Sequence, residues 1–264
     1  MKTQIFLLGS LFILNFSFNG YSQASDDRGL EIAVAANKAD EGFGDVSVNL
    51  IMTLKNKNGQ ESTRDMSNQI LEQTEDGDKS LIIFNSPRDV KGTSTLTYTH
   101  KVGPDDQWLY LPSIKRVKRI SSDNKSGPFM GSEFAYEDLS SQEVEKYTYT
   151  YLSEEQIDGS IVHVVELDPV DEKSGYTRQI TWYNATKGYR VEKVEYYDRK
   201  NSLLKTLTYS KYKLYLDKHW RAGEMHMANH QTEKETTLVY SDYKFQTGLT
   251  ENDFTQNSLK RAGR

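Results

Sequence analysis

Residues 107–140 read QWLYLPSIKRVKRISSDNKSGPFMGSEFAYEDLS, and three textures meet in them. An aromatic and aliphatic strand, Trp108 to Leu111, stops at Pro112. A basic strand follows, Ile114 to Ile120, in which Lys115, Arg116, Lys118 and Arg119 surround Val117. A polar segment then leads to the apolar group Pro128-Phe129-Met130-Gly131 and an aromatic and acidic turn, Phe134 to Leu139. The stretch contains no catalytic motif. It reads as a wall, a charged rim and a mobile apolar flap.

Working outward, the same strand grammar repeats. Val46 to Lys55 alternates, with Val46, Val48, Leu50, Met52 and Leu54 on one face. Asn58-Gly59 turns it into Glu61 to Glu72. Lys79 to Asn85 is a short apolar strand, and Ser94 to His100 pairs with Gln107 to Leu111 around Gly103-Pro104-Asp105-Asp106. Downstream, Ser140-x-x-Glu143 has the spacing of a capping box. Strands are expected at Lys146–Ser153, Ser160–Pro169, Tyr176–Tyr183, Tyr189–Asp198, Ser202–Leu216, Trp220–His230 and Glu235–Phe245, in meander order with turns at Asp158-Gly159 and Lys187-Gly188. Leu30 to Phe43 predicts a helix with Leu30, Ala33, Val34 and Asn37 on one side, and Glu251 to Phe254 opens a terminal helix. Leu203, Leu207 and Tyr209 oppose Leu204, Tyr212 and Leu214, so the sheet is expected to need cover on both faces. The result is a mainly β, α+β chain whose long antiparallel strands curl or lie open beneath a lid.

The beginning of the chain carries a different signal. Lys2 precedes an apolar run, Ile5 to Phe18, and Ser22-Gln23-Ala24 places small residues where a signal peptidase reads them. Residues 1–24 are therefore expected to be a signal peptide and residues 25–264 a single domain. The run of 14 residues falls short of the roughly 20 that a spanning helix needs. The chain has no cysteine, so no disulfide staples it and no cysteine can be lipidated. Loss of Lys2 with the leader shifts the net charge from −5 to −6. That balance excludes general nucleic-acid binding and leaves residues 115–119 as a local positive island. Seventeen tyrosines favour strands.

The motif WLYLPSIKRVKRISSDNKSGPFMGSEFAYEDLS (108–140) resembles the signature of the outer-membrane lipoprotein-sorting protein family, the LolA-like periplasmic group associated with RND-type transporters. The likeness continues through YTYTYL (147–152), IDGSIVHVVELDP (157–169), SGYTRQITWYN (174–184), YRVEKVEYYDRKNSLLKTL (189–207) and the stretch 227–259. The resemblance implies an incomplete antiparallel β-barrel (LolA/LolB-like) with short lid helices over a hydrophobic cavity. It also implies a periplasmic, non-lipidated carrier of acyl chains or other lipids, and the family supplies no catalytic residues. An envelope transporter and transient membrane contact are the expected partners. The alternative is a lipid-sensing regulatory module that binds a membrane signalling partner; an enzyme acting on a hydrophobic substrate is a third reading.

Candidate cavity or lid residues are Trp108, Tyr110, Leu111, Phe129, Met130, Phe134 and Tyr136, with ordinary core packing the competing explanation for each. Phe129 and Met130, between Gly127-Pro128 and Gly131, have the look of a hydrophobic loop tip. Lys115, Arg116, Lys118 and Arg119 suit a phosphate headgroup or an acidic partner, or simply protect a strand edge. His226 and His230 stand about 13 Å apart on a strand, too far to share a metal ion. No nucleophile elbow or phosphate loop is present. Neither a metal nor a cofactor is expected.

Overall fold

The structure, a computed structural model, describes residues 19–262. Most of the expected leader lies outside them; residues 19–24 form the start of the first helix. That helix, α1, spans Asn19–Asp40. It is followed by β1 Asp45–Lys55, β2 Glu61–Leu71, β3 Lys79–Ser86, β4 Ser94–Tyr98, β5 Asp106–Leu111 and β6 Arg116–Ile120. After a segment of 3-10 turns come β7 Tyr147–Ile157, β8 Ser160–Pro169, β9 Tyr176–Asn184, β10 Arg190–Asp198 and β11 Leu203–Ser210. The chain closes with the small hairpin β12 Lys213–Tyr215 and β13 His219–Arg221, then β14 Glu224–Asn229, β15 Lys234–Phe245 and α2 Gln256–Ala262. No helix among the described residues is long and apolar enough to cross a membrane.

Thirteen strands form one antiparallel sheet in the order β6-β5-β4-β3-β2-β1-β15-β14-β11-β10-β9-β8-β7. It is two meanders joined where the first strand meets the last, with Leu50 opposite Tyr240 and Met52 opposite Leu238. The sheet curls but does not close; β6 and β7 are its two ends. An incomplete barrel is what the family resemblance implies. In β3 both faces are covered, Ile82 and Phe84 on the concave side and Leu81 with Leu96 and Tyr110 beneath α2, whereas β1 buries one face. In β1 the even positions Val46 to Met52 are buried and Ile51 is 42% exposed. Cover on both faces of β11 is not needed: Leu203 and Leu214 stand exposed, while a bulge opposite Tyr196 and Tyr197 turns Leu204 inward with Leu207.

Residues 121–146, which connect the two ends, do not form the exposed flap expected from the sequence. They fold back as a plug into the concave side. Phe129 is 0% exposed, with its ring 5.7 Å from that of Phe84 and 5.6 Å from that of Tyr136. Phe134 is buried in the same cluster, and Met130 and Tyr136 pack against it. The physical reason is polar anchoring. The Arg64 guanidinium donates to the Met130 carbonyl at 2.5 Å, and Gln107 Nε2 donates to the Tyr136 carbonyl at 2.8 Å. Glu137 accepts from Ser174 Oγ and the Gly175 amide, both at 2.9 Å, and Lys125 pairs with Asp171 at 2.6 Å. These last contacts tie the plug to the β8–β9 turn across the open side. The expected capping box is absent; Ser140 follows one 3-10 turn and Glu143 precedes the next without capping it.

The central anchor is buried. Lys205 on β11 donates to Asp138 Oδ2 at 2.6 Å and to the Glu133 carbonyl at 2.9 Å. Asp138 also accepts from the Tyr176 hydroxyl at 2.7 Å and from the Ala135 amide at 2.6 Å. Both side chains of the pair are 4% exposed, and the ammonium lies 5.2 and 5.1 Å from the rings of Tyr176 and Tyr196. Removing one partner of such a pair strands a charge in the core. Lys205→Met should cost about 3–5 kcal/mol in urea unfolding. The double change with Asp138→Leu should recover most of that loss, and a double variant no better than the single would show that the pair acts otherwise.

Candidate functional site

The concave face of the sheet is divided along its strands. Towards one end, Met66, Phe84, Val194, Tyr196, Leu207, Met227 and Leu238 pack against the plug. A few residues along the same strands, Val46, Ile70, Tyr183, Val191, Tyr209, Met225 and Tyr243 instead line a cavity of about 850 Å³. Tyr149, Tyr212 and Trp220 complete its aromatic wall. Its roof is α1.

The roof sits close because its residues are small. Gly29 is buried, and a β-carbon there would meet the backbone of Thr150 and Tyr151 at 3.0–3.2 Å. This contact fixes which side of the helix faces down. Ile32 and Ala33 are buried on Tyr149, Val165, Leu167 and Tyr183, while Ala33, Ala36, Asn37 and Asp40 line the cavity at helical spacing. The sequence-based face is rotated by comparison: Leu30 and Val34 are 44% and 46% exposed. Alanines in place of larger side chains leave the volume that the cavity occupies.

Three of the lining tyrosines turn apolar faces to this space because their hydroxyls are satisfied elsewhere. Tyr149 donates to the Val144 carbonyl at 2.9 Å, Tyr243 to the Ala222 carbonyl at 3.0 Å, and Tyr212 to the Val191 carbonyl. Burial raises the pKa of Tyr183, Tyr209, Tyr212 and Tyr243 above the usual phenol range, so they remain neutral. Rigid aromatic rings give apolar area at small cost in side-chain entropy.

The rest of the lining is charged. Arg190 pairs with Glu192 at 3.0 Å and stacks over Tyr212 and Trp220. Arg221 pairs with Asp40, and Lys218 donates to the Glu41 carbonyl. Asp76, Asp78 and Glu143 stand near Lys101. Burial, with the charges of Glu143, Glu72 and Asp40, pushes the Asp78 carboxyl up to about 7 despite a hydrogen bond from the Gln73 amide. Burial also raises Glu143, whereas the His100 hydrogen bond holds Asp76 down at about 2. Among the described residues no group of His, Asp and Glu could hold a metal ion.

None of the residues named from the sequence as cavity, lid or headgroup candidates lines this cavity. Trp108 and Tyr110 face the opposite side of the sheet, packing with Leu96, Phe254 and Leu259 under α2. Leu111 is half-buried at the end of β5. Phe129, Met130, Phe134 and Tyr136 belong to the plugged end. Lys115, Arg116, Lys118 and Arg119 are exposed on or beside the edge strand β6, and Arg119 is bound to Asp106. Lys115 has φ 51° and precedes the strand, which removes it from the alternation. The cavity residues were legible only indirectly, as alanines at helical spacing and as tyrosines recurring near strand ends.

Comparison with known proteins gives a consistent picture. A candidate outer-membrane lipoprotein-sorting protein domain from Vibrio parahaemolyticus is 58% identical, matching 89% of this chain and 100% of its own, with a TM-score of 0.87. A DUF1329 family protein from Desulfovibrio piger is 27% identical, matching 89% of this chain and 99% of its own, with a TM-score of 0.83. A LolA superfamily protein from Nitrosomonas europaea shares the fold at 22% identity, 87% and 98% coverage and a TM-score of 0.70. A family model described as "-like: Uncharacterized protein" matches residues 76–261. No curated protein matches the chain.

The raised carboxyl of Asp78 has a signed consequence. Its folded pKa of about 7 lies above the ordinary 3.8, so the folded state keeps a proton that the unfolded chain releases. Its unfavourable effect grows as pH rises from about 4 to 7 and is complete above 7. Asp78→Asn should therefore stabilise the protein by about 1–3 kcal/mol at pH 8, and the gain should vanish near pH 4. Urea unfolding across that range measures it; a gain independent of pH would contradict the assignment.

Proposed function

The chain belongs to the outer-membrane lipoprotein-sorting protein family, of LolA-like fold, and from that premise we propose that it is a periplasmic carrier of hydrophobic ligands. The observation that supports this most is the cavity of about 850 Å³ between α1 and the concave sheet. That volume lies within the roughly 300–1,000 Å³ of sites that hold small ligands. The cargo we propose is one or more acyl chains, of a lipoprotein or a free lipid, passed between an RND-type envelope transporter and the outer membrane.

The energetics define what such a carrier must do. Each methylene kept from water contributes about 0.8 kcal/mol, so a 16-carbon chain resists leaving a bilayer by roughly 12 kcal/mol. The host must match most of that with apolar contact and still release the chain. Alanines and tyrosine ring faces supply the contact. A roof made of a single helix at one end of the chain, seated on small residues, is the element suited to move. Lys115, Arg116 and Lys118, exposed beside the open edge, are the proposed contact for a phosphate headgroup or an acidic partner surface.

Native protein extracted with organic solvent should yield bound lipid, and the neutral dye Nile red should bind the emptied protein. Ala36→Trp places an indole in the space beneath the roof and should weaken dye binding at least ~10-fold, with Tm nearly unchanged. Dye affinity unaffected by a folded Ala36→Trp protein would move the ligand elsewhere, and absence of both lipid and dye binding would end the carrier reading.

A further inference from the structure

Most charged groups around the cavity are already matched. The Glu72 carboxylate accepts the Gly42 and Gly44 amides at 2.5 and 2.6 Å. Asp40 is paired with Arg221, Asp76 with His100 at 2.6 Å, and Asp78 accepts the Gln73 amide at 3.1 Å. Glu143 differs. It is 7% exposed and lines the cavity, yet among the described residues its carboxyl has neither a hydrogen bond nor an ion pair. The two nearby lysines are engaged: Lys146 with Asp105, and Lys101 with the Thr74 carbonyl at 3.0 Å. The carboxyl presses on the loop that carries Asp76 and Asp78, since a β-carbon on Gly77 would lie 2.9 Å from Glu143 Oε1.

We infer that this side of the cavity, with Glu143 beside Asp78, receives the ammonium head of a cationic amphiphile whose chain lies along the tyrosine wall. The inference rests on the carrier reading and deepens it by assigning the head. Glu143 opens on the cavity without a protein partner, and an ammonium group there offers three charge-assisted donors to it and to the neighbouring Asp78. The electrostatic setting has the matching sign. The helix α1 ends at Asp40, so the partial negative charge of its carboxyl end adds to the acidic groups. The cations of the lining are already held, Arg190 and Arg221 by carboxylates and Lys218 and Lys101 by backbone carbonyls, and acidic groups outnumber them there.

The test is calorimetric titration of the delipidated full-length protein at pH 8 with three amphiphiles of one chain length, decylammonium, decanol and decyl sulfate, each below its micellar concentration. Trp220 lines the cavity, and its fluorescence reports occupancy independently. Decylammonium should bind at least ~10-fold more tightly than the other two. In Glu143→Gln and in Asp78→Asn that advantage should fall to a few-fold, with decanol affinity unchanged. Equal or weaker binding of decylammonium, with decanol still bound, overturns the assigned head and leaves the carrier intact. Binding of none of the three overturns both. The ranking in the unmodified protein decides the matter even if a variant fails to fold.

Discussion

The ion pair between Lys205 and Asp138 fixes how the concave side of a sheet with two open ends is filled. A curled sheet of this kind leaves its concave side to be filled, and the side chains of the strands alone cannot fill it. Here the connection between the two meanders is drawn inward and held by a lysine that rises from the floor. The bond is buried, so its favourable part is strong and the loss of either member severe. Around it, the Tyr176 hydroxyl, the Ala135 amide and the Glu133 carbonyl satisfy the remaining lone pairs and protons. Between Phe129 and Phe134, which enter the apolar floor, the Met130 and Glu133 carbonyls accept from Arg64 and Lys205.

The consequence is a division of labour along each strand. Leu207 lies under the plug, and Tyr209, two residues on, packs against the edge of the same cluster and borders the cavity. Met227 and Met225 divide in the same way on the neighbouring strand. The plugged end supplies stability, so the hollow end is free of that duty. It can be roofed by alanines and tolerate carboxyls with raised pKa. Large ring faces line one part of that hollow and charged side chains its margin.

Much of the architecture was legible from the residues. Alternation in β1, the Asn58-Gly59 turn and the spacing of the later strands gave the elements and their order, because β1 buries one face and the turns are short. The family motif was legible for the same stretch that forms β5, β6 and the plug. What the sequence did not carry was which end of a strand is filled. Tyr209 and Leu207 share a face and a period, and nothing local distinguishes them. Phe129 illustrates the same limit: flanking glycines and a proline signal an irregular segment, but not whether it points to water or to a buried lysine more than seventy residues away. The orientation of α1 was misjudged by one position for a similar reason, since Gly29 sets it through contact with β7 rather than through hydrophobic periodicity.

The pairing of β1 with β15 has a bearing on how the molecule comes into being. Residues 45–55 find their partner on one side only when residues 234–245 are present, so the two meanders cannot be joined on a growing or shortened chain. Contacts so remote in sequence are closed late and slowly. The two meanders should accordingly join as a single event once β15 has been made, and the hollow should be lost entirely when β15 is removed.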